Sequence, residues 1–114
     1  MAKFDKNKFD KVKTLGETVK EYRNAKGLLL REIAAAINVD TAMISKFEKG
    51  ERKPTREQII ALARVLEINE KELLIIYLSD KVAFDLKDEE VAKQALKIAE
   101  KKIALLQKTK NRDK

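Results

Sequence analysis

Apolar residues recur through most of this chain at the three- and four-residue spacing that forms one face of a helix. The first series, Leu15, Val19 and Tyr22, is followed by similar series as far as Leu106. Helix-forming Ala, Leu, Ile, Glu, Lys and Arg dominate, whereas only three glycines and one proline occur. The pattern therefore predicts an all-α chain, with helices over about 14–26, 30–37, 41–49, 55–67 and 69–84 and a last helix ending near 107.

Residues that stabilise helix starts stand at most of the predicted boundaries. Thr14 with Glu17, and Thr55 with Gln58, have the spacing of a capping box, in which side chains bind the first backbone amides. The second helix has no such signal. The other expected caps are Asp40, Asn69 and either Asp85 or Asp88.

The segment 30–50 predicts a helix, a short turn and a second helix. The small residues Ala34 to Ala36 are expected to let the two helices cross closely, and Asn38 suits a left-handed turn residue. The outward face of the later of these two helices, over 41–49, is neutral or basic and includes no acid. A helix of this width fits the major groove of B-form DNA. The outward residues are Thr41, Ala42, Met43, Ser45, Lys46 and Lys49.

Composition narrows the classes of function. The net charge is +7, with basic residues concentrated at both ends and acidic ones over 67–86, which favours a polyanionic partner. The chain has no Cys and no His, so thiol catalysis, His-based acid–base chemistry and the usual zinc sites are excluded. No metal, cofactor or small-molecule ligand is expected. Neither a signal peptide nor a membrane span is apparent, and we expect a cytoplasmic protein, nucleoid-associated when bound to DNA.

From Leu15 to Leu74 the chain resembles the Cro/CI-type regulators, a lambda-repressor-like family also called XRE. The most specific stretch, ISKFEKGERKP, follows an EIA helix at the family's distance. The resemblance implies a five-helix DNA-binding domain, extended here by a further C-terminal helix. The matching positions include Leu15, Gly16, Val19, Arg23, Lys26, Gly27, Leu28, Glu32, Ile33, Ala34, Val39, Ile44, Lys53, Pro54, Leu62, Ala63, Leu66, Leu73 and Leu74.

The resemblance also implies roles for individual residues. Base edges would be contacted by Thr41, Ala42, Ser45 and Lys46, with Met43 at the margin. Lys46 has the chemistry to pair with guanine O6 and N7. The candidates for phosphate contact are Lys49, Arg52 and Lys53, together with the backbone amides at the start of the helix over 30–37, near Leu30.

Two further features concern the scaffold. In this family an arginine of the first helix pairs with the glutamate that ends the recognition helix, here Arg23 and Glu48, and we expect a partly buried structural ion pair. The family usually opens its second helix with Thr-Gln, whereas this chain has Leu29-Leu30. A turn glycine is replaced by Asn38.

The last helix carries five apolar residues at alternating four- and three-residue steps, called the seam below: Ala92, Leu96, Ala99, Ile103 and Leu106. This spacing is typical of a coiled coil, whereas Val91, Ala95, Ile98 and Leu105 widen the apolar stripe. The pattern is equally consistent with a homodimer seam and with packing on the chain's own domain, and one helix can do both across a dimer.

The resulting expectation is a two-fold dimeric transcriptional regulator in four segments: a flexible basic arm over 1–13, the DNA-binding domain over 14–79, a helical extension over 80–107 and a disordered tail over 108–114. Restriction–modification controllers, small phage-type repressors and antitoxins all fit this organisation. The alternative class is a protein-interaction module, which exposure of Leu28 to Leu30 would favour. An enzyme is not expected, because no phosphate-binding loop, metal cluster or nucleophile–base pair occurs.

Overall fold

The computed structural model describes residues 10–112, with side chains as far as Lys110, and over this range it contains six α-helices and no strand. The all-α class and the five helices plus one predicted from the sequence are confirmed. Residues 1–9, in the predicted arm, and 113–114, in the predicted tail, lie outside the described range. The helices are α1 Leu15–Ala25, α2 Leu30–Ala36, α3 Thr41–Lys49, α4 Arg56–Leu66, α5 Glu70–Leu86 and α6 Ala92–Arg112.

The predicted caps form at the starts of α1, α3, α4 and α5. Thr14 Oγ1 accepts from the Glu17 amide at 3.2 Å, while the Glu17 carboxylate accepts from the Thr14 amide at 3.0 Å. Thr55 and Gln58 make the same reciprocal pair at α4. Asp40 Oδ1 accepts from the Met43 amide at 2.8 Å. Each cap satisfies amides that the helix itself leaves without a partner.

A residue with left-handed backbone conformation lies just after each of the helices α1, α2 and α3. Gly27, Asn38 and Gly50 have φ values of 68°, 59° and 74°. The fourth case was not predicted: Glu67 ends α4 with φ 56°, a conformation that costs most side chains energy. Its carboxylate forms an ion pair with Lys26, which links the ends of α1 and α4.

The chain divides by its internal contacts between residues 81 and 82. The first unit holds a continuous hydrophobic core from α1 to the first half of α5, in which Ile33, Phe47 and Leu62 are almost completely buried. Of the three alanines expected at the crossing of α2 and α3, only Ala34 is buried, whereas Ala35 and Ala36 are exposed, which corrects that prediction.

A hydrogen bond between residues far apart in sequence fixes α5 within this unit. Asp80 Oδ2 accepts from the amide of Leu15 at 2.8 Å. The carboxylate thus lies at the start of α1, where the helix dipole favours negative charge. Nothing local in the sequence predicts this cap, because the two residues are 65 positions apart.

The second unit contains the end of α5, a turn and α6. Two predictions about it were wrong. Asp85 lies within α5 and Asp88 in the turn, so neither caps α6, which begins at Ala92. The helix also continues past the predicted end at Gln107 to Arg112. At the other end of the chain, residues 10–13 form a turn in which the Val12 amide donates to Asp10 Oδ1 at 3.0 Å.

Candidate nucleic-acid interface

The candidate recognition helix α3 is anchored on one side and open on the other. Ile44 and Phe47 are buried in the core, and they fix the rotation of α3 about its own axis. The opposite face carries most of the residues predicted to contact bases. Thr41, Ala42 and Lys46 are exposed, and Ser45 is half-buried.

Met43 differs from these residues, because it packs partly against the core. Its sulfur lies 3.7 Å from Nε2 of Gln58, which can donate to it. Met43 therefore connects α3 to the first turn of α4. The sequence predicts Gln58 only as part of the cap of α4, not as a neighbour of Met43.

The predicted pair of Arg23 and Glu48 holds the end of α3 against α1. Arg23 Nε lies 2.7 Å from Glu48 Oε2, and Arg23 Nη2 donates to Oε1 at 3.1 Å. A third donor, Nη1, binds the carbonyl of Leu28 at 3.0 Å. The two side chains are only 13% and 7% exposed. Hydrogen bonding to Glu48 raises the pKa of Arg23, so the guanidinium of this pair stays charged.

The two helices approach most closely at Gly16. A Cβ atom built there would lie 2.5 Å from the carbonyl oxygen of Glu48 and 2.6 Å from that of Phe47, both shorter than real contacts allow. Only glycine therefore lets the start of α1 rest against the end of α3. The sequence marks Gly16 only as a position that matches the family, and it does not show why a glycine is needed there.

The residues predicted to contact phosphate lie around the end of α3 and the loop after it. Lys49, Arg52 and Lys53 are all exposed. The start of α2 at Leu30, the other candidate, is less favourable for binding a phosphate. Glu32 accepts from the amide of Leu29 at 2.9 Å, so a carboxylate already occupies the start of α2.

Some lysine and arginine side chains of the first unit form ion pairs and others do not. Lys13, Arg23, Lys26 and Arg64 each pair with a glutamate. Within the described residues, Lys46, Lys49 and Arg52 have no such partner. The same holds for two exposed arginines that the sequence analysis did not single out, Arg31 in the first turn of α2 and Arg56 at the start of α4. The sequence signal that could have marked these two arginines as candidates for phosphate contact is their position at the starts of the helices before and after α3.

Other kinds of site find little support in the described part of the chain. No group of three carboxylates is placed to hold a metal ion. Among the six helices, none is both long and apolar enough to cross a lipid bilayer. Of the three consecutive leucines, Leu28 and Leu30 pack against the core, and only Leu29 is exposed.

The seam of α6 remains largely uncovered in the single chain. Leu96, Ile103 and Leu106 are 44%, 52% and 70% exposed, and Ala92 and Ala99 are half-buried. Val91, Ile98 and Leu105 beside the seam are exposed as well.

Comparison with known proteins agrees with this architecture. A solved structure entitled SinR protein/SinI protein complex superposes with a TM-score of 0.50 at 22% identity, covering 86% of this chain and 98% of that one, which shows a shared fold. A search of curated proteins found no match. The family model HTH_3, described as helix-turn-helix, matches residues 19–73. That range includes α2, α3 and α4 complete, so this segment is a helix-turn-helix domain similar to those of XRE-type DNA-binding transcriptional regulators.

Proposed function

We propose that this regulator binds specific duplex DNA by placing α3 in the major groove, as a two-fold dimer on half-sites about one helical turn apart. The observation that carries the proposal is the electrostatics of α3. Its one acid, Glu48, is turned inward onto Arg23, and the carboxylate of Asp40 just before it accepts from the Met43 amide. The outward face therefore presents hydroxyl, methyl and ammonium groups without a competing carboxylate.

Base contacts are assigned to the exposed, N-terminal part of this face. Lys46 would donate to guanine O6 and N7, and Thr41 and Ala42 would meet thymine methyl groups. Ser45 is suited to either kind of base edge. Met43 packs partly against the core and would act mainly by setting the distance between α3 and α4.

Phosphate contacts are assigned to exposed cations near this helix in sequence. Lys49 ends the recognition helix, Arg52 and Lys53 follow it, and Arg31 and Arg56 lie at the starts of α2 and α4. Such contacts set the orientation of the protein on DNA and the salt dependence of binding. The Leu30 amide is the weakest candidate, because the Glu32 carboxylate would repel a phosphate there.

A protein partner is the second candidate ligand for this chain, and the exposed seam favours it. The solved structure that shares this fold is entitled a complex of two proteins. We assign the seam to dimerisation of the regulator, which places two α3 helices on one duplex.

The test is selection of bound sequences from a random pool of duplex DNA, using the full chain. The expected result is an enriched motif with inverted symmetry and half-sites about 10 base pairs apart. Failure to retain any duplex at low salt would refute DNA binding. An enriched motif without symmetry would refute the dimer alone.

Replacement of a single lysine tests the assignment of α3. Lys46→Ala is expected to weaken binding to the selected site by about 1–3 kcal/mol and to relax preference at one base pair. Lys71→Ala, which removes an exposed lysine from α5, is the matched control and should leave preference unchanged. Equal losses for Lys46→Ala on selected and random DNA would reduce Lys46 to a phosphate contact.

A further inference from the structure

The first four residues of the seam of α6 have an order beyond their heptad spacing, because small and large residues alternate as far as Ile103, after which Leu106 is a second large residue. Ala92 is followed by Leu96, Ala99 by Ile103, and each large residue extends beyond its small neighbours. The larger side chains remain about half exposed in the single chain. Such a stripe of apolar surface is unfavourable in water unless a partner covers it.

We propose that a second copy of α6 covers the seam in antiparallel orientation. Leu96 would face Ala99 of the second copy, and Ile103 would face its Ala92, so that two-fold symmetry generates four layers. This pairing deepens the proposed function by specifying how the dimer of the regulator is built. It depends only on residues of α6.

Side-chain size favours the antiparallel arrangement. In it, every layer joins one large residue to one alanine, so the two helix axes can keep one separation along the seam. A parallel pair would instead place Leu96 against Leu96 and Ala99 against Ala99. Successive layers would then demand wide and narrow separations in turn and leave voids at the alanines.

Charge favours the same arrangement. Lys93 and Glu100 lie one heptad apart on one edge of the seam, and Glu100 is the one acid of α6. In the antiparallel register, Lys93 of each copy lies opposite Glu100 of the other, which makes two symmetric ion pairs. Neither residue has an ion-pair partner within the described part of its own chain.

The charges also select one register among the antiparallel ones. A shift by one heptad would place Glu100 opposite Glu100 on one edge and Lys102 opposite Lys102 on the other, and both contacts are repulsive. In a parallel pair, Glu100 would lie beside Ala95, with no charge to balance it. The outer face of the helix, with Lys97, Lys101 and Lys108, would stay in solvent.

Disulfide cross-linking tests orientation directly, because the chain has no native cysteine. Leu96→Cys and Ala99→Cys would be introduced into separate full-length chains, one of them extended by a tag to separate their masses. After mixing and mild oxidation, we expect the mixed 96–99 cross-link to predominate. Lys97→Cys, on the outer face, is the control for random collision.

Two results would overturn the pairing. Cross-links joining 96 to 96 and 99 to 99, in place of mixed ones, would show a parallel dimer. Cross-linking no greater than that of Lys97→Cys would show that another partner, such as a different protein or a lipid surface, covers the seam. Both readouts are obtained without DNA, so they remain informative whether or not the chain binds a duplex.

A charge exchange tests the register. Lys93→Glu and Glu100→Lys are each expected to raise the dissociation constant of the dimer roughly fivefold in sedimentation equilibrium, and the double variant should recover to within about twofold of the native value. Lys97→Glu is the matched control and should change it less. Equal effects of Lys93→Glu and Lys97→Glu without recovery in the double variant would overturn the register, and a monomer at every concentration would overturn the proposal.

Discussion

Helices α4 and α6 carry apolar residues at similar spacing and differ in where those residues lie. In α4, Ile59, Leu62 and Leu66 are completely buried by other helices of the first unit. In α6, Leu96 and Ile103 are about half exposed. An amphipathic stripe therefore predicts which face of a helix is apolar, and only the tertiary structure shows how far that face is buried.

If the first unit is stabilised by contacts within the chain, loss of an internal charge should have the largest effect on its unfolding. Glu48→Ala leaves the nearly buried Arg23 guanidinium without its carboxylate. We expect the free energy of unfolding, measured in urea, to fall by about 3 kcal/mol.

The matched control for that variant is Glu70→Ala, which breaks the exposed pair with Arg64. It should cost less than about 1 kcal/mol. Similar losses for the two variants would show that the Arg23–Glu48 pair adds no more than a surface ion pair does.

The close approach of α1 to α3 gives the next largest effect. Gly16→Ala would force the backbone of Glu48 and Phe47 to move, and we expect a loss of about 2–3 kcal/mol in the same assay. Gly27→Ala meets no atom within 4 Å and carries only the cost of its positive φ, about 1 kcal/mol. A smaller loss at Gly16 than at Gly27 would contradict the tight contact.

Truncation after Phe84 tests the other side of the comparison. Removal of α6 is expected to change the free energy of unfolding of the first unit by less than about 1 kcal/mol, because its core is complete without α6. The mass in sedimentation equilibrium should fall from dimer to monomer. An unchanged mass, or a large loss of stability, would indicate that α6 serves its own domain.

The smallest expected effect concerns the cap of α1. The carboxylate of Glu17 accepts from the Thr14 amide, which lowers the pKa of Glu17. Because the folded pKa lies below the unfolded one, this stabilisation is complete above the unfolded pKa and is lost as pH falls through the folded one.

Glu17→Gln keeps an acceptor without a charge. Solvent screens this exposed carboxylate, so we expect the difference in unfolding free energy between native chain and variant to be at most about 0.5 kcal/mol near neutral pH and to disappear in acid, where the Glu17 carboxyl is protonated. Urea unfolding at both pH values measures it. A difference that does not change with pH would show that the charge adds nothing to the cap.

The helices and their starts were predictable because the signals are local. A cap such as Thr14 with Glu17 lies within four residues, and the left-handed φ of Asn38 follows from its own side chain. Where a signal was distant, prediction failed. The bond from Leu15 to Asp80 and the left-handed φ of Glu67 depend on contacts that only the folded chain creates.

The candidate site divides in the same way. The outward residues of α3 were predictable from helical periodicity, since Ile44 and Phe47 mark the opposite face. The contact of Gln58 with Met43 and the position of the Glu32 carboxylate at the start of α2 were not predictable from the sequence. Both depend on how particular side chains reach across helix ends.

By itself, the sequence determined the class of fold, the helix order and the acid-free face of α3, because helix periodicity and caps act over a few residues. The tertiary structure alone decided why residue 16 is glycine, how Arg23 joins three segments, and that the seam of α6 is left exposed. These properties depend on which surfaces meet, and the free energy of burial is settled only when distant parts of the chain come together.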